Sequence, residues 1–102
     1  MAQYTKAATR GEIDSGSAKL IEINGKRIAL FNVDGIYYAI DDTCTHRGGP
    51  LSEGTIEGEE VECPWHGARF NLNTGVVLGG PAPKDVACYN VRVQRNDVEI
   101  EV

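Results

Sequence analysis

Apolar residues fall into short runs separated by turn dipeptides. Ala18 to Ile23, Arg27 to Val33 and Ile36 to Ile40 are rich in β-branched and aromatic residues, the composition of strands. Asn24-Gly25 and Asp34-Gly35 separate them, and such pairs tolerate the positive φ of a hairpin turn. Further turn signals stand at Glu57-Gly58, Asn73-Thr74-Gly75 and Asn96-Asp97. The strictest alternation comes late. Tyr89, Val91 and Val93 interleave with Asn90, Arg92 and Gln94, and Val98, Ile100 and Val102 with Glu99 and Glu101. That period of two predicts a hairpin with one buried face and one wet face. No stretch of ten or more residues carries a helical apolar stripe. The pattern therefore predicts an all-β sandwich or barrel of short antiparallel strands.

Three segments break the strand rhythm: Cys44-Thr45-His46-Arg47-Gly48-Gly49-Pro50, Cys63-Pro64-Trp65-His66-Gly67, and Gly79-Gly80-Pro81-Ala82-Pro83. Gly and Pro mark them as loops, and loops on a rigid β scaffold are where function concentrates.

Size and charge narrow the function classes. The 102 residues suit one domain, and a hydrophobic fraction of 41% supports a packed core. The domain is small for a large substrate cleft beside its core, so a carrier, binding module or accessory subunit is expected rather than a self-sufficient enzyme. With 15 acidic and 10 basic residues the formal charge is -5, which argues against nucleic acid as a partner. No apolar run approaches the roughly 20 residues of a membrane helix. Met1 to Lys6 shows no secretory signal, so a cytoplasmic location is expected. An odd count of three cysteines makes a disulfide framework improbable. It also falls short of the four thiolates of an all-cysteine iron–sulfur cluster.

Both histidines lie in the first two loops, each beside a cysteine. The arrangement is Cys44-x-His46, sixteen intervening residues, then Cys63-x-x-His66. Two thiolates and two imidazoles form a complete four-donor set for a metal centre. The neighbouring glycines allow tight turns and close approach of backbone N–H groups to sulfur. Cys88 has no histidine neighbour and falls in register with Asn90 and Arg92 on the wet face, so it reads as an incidental thiol.

At this point the chain resembles the Rieske [2Fe-2S] family, whose hallmark is Cys-x-His, a spacer and Cys-x-x-His followed by Gly. It is most similar to the ferredoxins of bacterial aromatic-ring-hydroxylating dioxygenase systems. Ile40 to His46, Gly48 to Gly54, Cys63 to Phe70 and Pro81 to Pro83 carry the likeness. The resemblance implies a single domain over 1–102, a Rieske-like antiparallel β-sandwich or barrel with a cluster-binding region at about 42–83. It implies one [2Fe-2S] cluster, with Cys44 and Cys63 on one iron and His46 and His66 on the other. The imidazoles would face an exposed tip ringed by Pro50, Leu51, Trp65, Pro81 and Pro83. Trp65 fits that rim and the core equally well.

Departures from the respiratory branch of the family carry information. Its two additional loop cysteines, joined as a disulfide, correspond here to Gly49 and Trp65. Its Ser and Tyr, which donate hydrogen bonds to sulfur, correspond to Ala68 and Phe70. Such bonds raise the potential, so their loss predicts a centre at the low end of a range of about -150 to +300 mV.

The function implied is a one-electron carrier, not an enzyme. It would take electrons from a flavoprotein NAD(P)H-dependent ferredoxin reductase and pass them to a terminal oxygenase in aromatic catabolism, as a monomer. Glu53, Glu57, Glu59, Glu60 and Glu62 between the loops read as a solvated hairpin, with steering toward a basic partner as the second reading. Two alternatives differ in class. One is a permanent accessory subunit of another redox enzyme, such as assimilatory nitrite reductase. The other is a structural zinc domain, which the ligand spacing disfavours.

Overall fold

In the computed structural model, residues 3–45, 48–65, 67–80 and 84–102 are described. Within them the chain forms β1 (Tyr4–Thr9), β2 (Ser17–Ile23), β3 (Lys26–Val33), β4 (Ile36–Asp41), a 3-10 turn (Leu51–Glu53), β5 (Thr55–Glu57), β6 (Glu60–Glu62), β7 (Arg69–Asn71), β8 (Val77–Gly79), β9 (Cys88–Tyr89), β10 (Val91–Gln94) and β11 (Asp97–Glu101). They make three antiparallel sheets in the orders β1-β11-β10, β2-β3-β4-β9 and β5-β6-β7-β8.

The turn dipeptides set the register of the middle sheet. Ile23 pairs with Lys26 across Asn24-Gly25, and Val33 with Ile36 across Asp34-Gly35. All four turn residues have positive φ, between 51° and 86°, the signature of tight turns that match strand twist. Buried Asn32 braces the second turn: its side chain accepts from Gly35 N–H and donates to the Ile13 carbonyl, both at 2.8 Å.

Strand β3 is buried on both faces. Ile28 and Leu30 enter one apolar core, shared with Val98 and Ile100 of the first sheet. Ala29 and Phe31 enter a second core, shared with Val61, Phe70 and Leu72 around the third sheet. Strand β4 divides its residues likewise, Ala39 to the first core and Ile40 to the second. Burying each of the larger side chains contributes about 1.5–3 kcal/mol. The middle sheet is thus a platform with structure on both sides, and the third sheet sits on one of them.

The expected all-β antiparallel fold and the β10–β11 hairpin are present. One expectation fails. Val93 is 41% exposed, because β10 is an edge strand and its far end runs past the core that half-buries Tyr89 and Val91. Strand β1 and the short strands β5–β8 have no counterpart among the runs that the pattern picks out.

Candidate metal centre

The two cysteine loops share one backbone frame. The first leaves β4 and returns at the 3-10 turn. In it Cys44 N–H donates to the Gly49 carbonyl at 2.9 Å, and Gly48 N–H to the Cys44 carbonyl at 2.9 Å. The second joins β6 to β7. There Cys63 N–H donates to the Ala68 carbonyl at 2.7 Å, and Gly67 N–H to the Cys63 carbonyl at 3.1 Å. The glycine four residues after each cysteine has positive φ, 77° at Gly48 and 75° at Gly67. A side chain there would strain the turn, which is why both loops need glycine at this place.

These loops lie against each other. A Cβ built on Gly49 would stand 2.6 Å from Cys63 Sγ and 3.1 Å from Trp65 Cγ. No side chain fits at Gly49 unless the Cys63 or Trp65 side chain gives way. Cys44 and Cys63 are each 2% exposed and belong to one apolar core with Leu51, Ala68 and Phe70. Ala68 and Phe70, both fully buried, bring no hydroxyl to this core.

His46, Arg47 and His66 lie outside the described residues, as do Pro81, Ala82 and Pro83. Among the described residues no three His, Cys, Asp or Glu side chains gather to hold a metal. Two sheltered thiols from facing loops are the donors described. The sequence sets one histidine two residues after Cys44 and the other three after Cys63, so this donor chemistry fits a cluster with mixed sulfur and nitrogen ligands.

Trp65 is 56% exposed, so the rim reading prevails over the core reading. Leu51, expected at the rim, is fully buried instead. It opens the 3-10 turn with its N–H held by the Asp42 carbonyl at 2.7 Å, and its side chain joins the core beneath the loops. Pro50 is half-buried, and Cys88 is exposed as expected.

The acidic hairpin is partly engaged in the fold. Arg69 stands 2.6 Å from Glu60 and 3.9 Å from Glu57. Tyr38 hydroxyl donates to Glu59 at 3.2 Å. Burial, and then this carboxylate, push the Tyr38 phenol above its usual range.

Asp41 and Asp42 anchor the root of the first loop. Asp41 accepts a 2.6 Å hydrogen bond from Tyr89 hydroxyl. Burial first, and the bond to Asp41 second, raise the Tyr89 pKa. Asp42 is 1% exposed, and sequence reasoning missed it. The signal was available: one more step of the β4 alternation beyond Ile40 carries Asp42 to the core that holds the cysteines. Within the first loop, Thr45 hydroxyl donates to the Lys84 carbonyl at 2.6 Å, and beyond it Asp85 accepts Val77 N–H at 2.8 Å. The stretch after residue 83 therefore ties the first loop to β8.

The family model for the Rieske [2Fe-2S] domain matches residues 3–90. The ferredoxin component of the naphthalene 1,2-dioxygenase/salicylate 5-hydroxylase systems of Ralstonia sp is 40% identical over 99 residues, covering 97% of this chain and 95% of the relative. A solved complex of reduced oxygenase and oxidized ferredoxin in carbazole 1,9a-dioxygenase contains a chain that superposes with a TM-score of 0.89 at 31% identity, covering 96% of this chain and 92% of that one. A chain described as an NADH-dependent nitrite reductase small subunit from Mycobacterium tuberculosis reaches a TM-score of 0.91 at 22% identity, with 100% and 96% covered, a likeness of fold alone.

Proposed function

Because this chain belongs to the Rieske [2Fe-2S] domain family and its cofactor is one cluster of that type, we propose that it carries single electrons from a flavin-dependent NAD(P)H ferredoxin reductase to a terminal ring-hydroxylating oxygenase. The observation that carries this reading is the near full-length likeness to ferredoxin components of dioxygenase systems. The nitrite reductase alternative rests on fold alone.

In this reading Cys44 and Cys63 ligate one iron, and His46 and His66 the other, within a cluster-binding region of about 42–83 in one domain over 1–102. When bound, the cluster supplies a centre that accepts and returns one electron. The chain's own residues shelter and present it. The apolar core around Cys44 and Cys63 keeps water from the sulfur ligands. Exposed Trp65 offers an aromatic contact at the rim of the loops. The side chains of Ala68 and Phe70 carry no hydroxyl to donate to sulfur, which keeps the potential low in the family's range. Substrate oxidation belongs to the partner. A mononuclear 2-His-1-carboxylate iron site needs further histidines, and this chain has two in all. It works as a cytoplasmic monomer in transient encounters.

The test is reconstitution. Iron-loaded protein should show a Rieske-type EPR signal on reduction and restore NADH-driven turnover to a reductase and ring-hydroxylating oxygenase pair lacking their ferredoxin. A protein that binds zinc without colour, or that holds the cluster yet supports no transfer to any such oxygenase, overturns the proposal.

A further inference from the structure

Asp42 is a buried charge to which electron carriage assigns no task. Among the described residues only Asn32 joins it as a buried polar side chain. A carboxylate withdrawn from water is costly unless its oxygens are occupied. Here one oxygen is hydrogen-bonded at the turn that ends the first cysteine loop, and the other faces a guanidinium of strand β3. Oδ1 accepts Ser52 N–H at 2.8 Å, and Oδ2 lies 3.9 Å from the Arg27 guanidinium. Asp42 N–H donates to the Arg27 carbonyl at 3.0 Å, and its own carbonyl accepts Leu51 N–H at 2.7 Å. One residue therefore joins the start of the loop, the turn that ends it, and strand β3.

Above this grip the loop closes in two further steps, the bridge from Thr43 to Pro50 and the bond from Cys44 to Gly49. The tolerance at the top is small, since a Cβ on Gly49 would come within 2.6 Å of Cys63 Sγ. A shift at the root would therefore change how closely the backbone at Gly49 approaches that sulfur. Neighbours of the ligands tune both affinity and redox behaviour of metal centres.

We propose that Asp42 is a positioning residue for the metal centre, setting the depth at which Cys44 and Gly49 stand against Cys63. The inference rests on the reading of Cys44 and Cys63 as cluster ligands. What matters is reach rather than charge, and two mild substitutions separate the two. Asp42→Asn keeps the length and one acceptor oxygen but removes the charge. Asp42→Glu keeps the charge but reaches one methylene too far.

The experiment compares iron-loaded wild type and both variants by EPR line positions, rate of iron loss to a chelator, and melting temperature. Asp42→Glu should displace the EPR lines and lose iron about 10-fold faster. Asp42→Asn should keep the line positions and the loss rate close to wild type. Equal or larger displacement in Asp42→Asn would make charge the cause and overturn the inference. Changed melting temperatures with unchanged EPR lines and loss rates would also overturn it, leaving a purely structural role. Wild-type protein without a Rieske-type signal would refute the ligand assignment, and this inference with it.

Discussion

The cysteine loops match in backbone and differ in foundation. In each, a cysteine N–H reaches the carbonyl five residues on, and a glycine N–H four residues on returns to the cysteine carbonyl. Below the second loop the ladder simply continues. Glu62 pairs with Arg69 and Val61 with Phe70, so adjacent strands fix the register. Among the described residues the first loop has beneath it only the isolated Thr43–Pro50 bridge and the backbone bond from Leu51 to Asp42, and it leads into a 3-10 turn. Isolated backbone bonds and the buried side chains of Leu51 and Asp42 do the work that strand pairing does elsewhere. The same local shape is therefore reached by repetitive pairing in one case and by a few long-range contacts in the other. The second kind is the more exposed to single substitutions.

Truncating the floor under each loop tests that contrast most harshly. Phe70→Ala should cost about 3–5 kcal/mol and Leu51→Ala about 2–5 kcal/mol in urea unfolding. Leu51→Ala should nevertheless release iron at least as fast, because the first loop has less else to hold it. A markedly slower release from Leu51→Ala would contradict the asymmetry.

The glycines give a finer comparison. Gly49→Ala places its methyl against Cys63 Sγ and should cost about 1–3 kcal/mol through overpacking, with a visible change in the cluster spectrum. Among the described residues Gly67→Ala meets nothing nearer than Glu62 Oε2 at 4.0 Å, so the positive φ is the strain it adds, at about 1–2 kcal/mol. Its iron-loaded spectrum should stay near wild type. If Gly67→Ala perturbs the spectrum as much as Gly49→Ala, the close approach at Gly49 has no special weight.

Alkaline pH should loosen the root of the first loop. The Tyr89 pKa is raised in the fold, so the neutral phenol is the form the native state favours. Its contribution is fully present below the unfolded value of about 10 and is lost as pH rises above it. Tyr89→Phe removes the bond to Asp41 and should flatten the decline in melting temperature above pH 10. An identical alkaline limb in the variant would show that Tyr89 does not govern it.

The smallest effect belongs to the second loop. Arg69→Gln breaks the exposed pairs with Glu57 and Glu60, and the loss should stay within about 0–1 kcal/mol in chemical denaturation. A larger loss would mean that the ladder needs its surface charges after all.

The parts legible in the sequence were those with a strong local rule. The hairpin turns announced themselves because Asn24-Gly25 and Asp34-Gly35 suit a conformation few other pairs adopt cheaply. The cysteine–histidine spacing marked the loops, and the structure brings Cys44 and Cys63 into one core. Strands of three residues, such as β5 to β8, are too short to display a period. Leu51 looked like a loop residue because nothing local reveals that a 3-10 turn will fold it inward. Val93 matched its alternation perfectly, yet burial depends on how far the partner sheet extends. Asp42 follows the β4 alternation inward, but residue type argued against that signal, since two adjacent aspartates at the end of a strand look like surface.

One consequence of the doubly buried strand β3 concerns transplantation. Ala29 and Phe31 support the half with the cysteines while Ile28 and Leu30 support the other half, and Arg27 on the same strand supplies partners to Asp42. The loops and their hairpins are thus not a detachable cassette. An engineer moving this electron-carrying unit into a foreign scaffold would have to bring β3 and β4 along, together with something apolar to cover their reverse side.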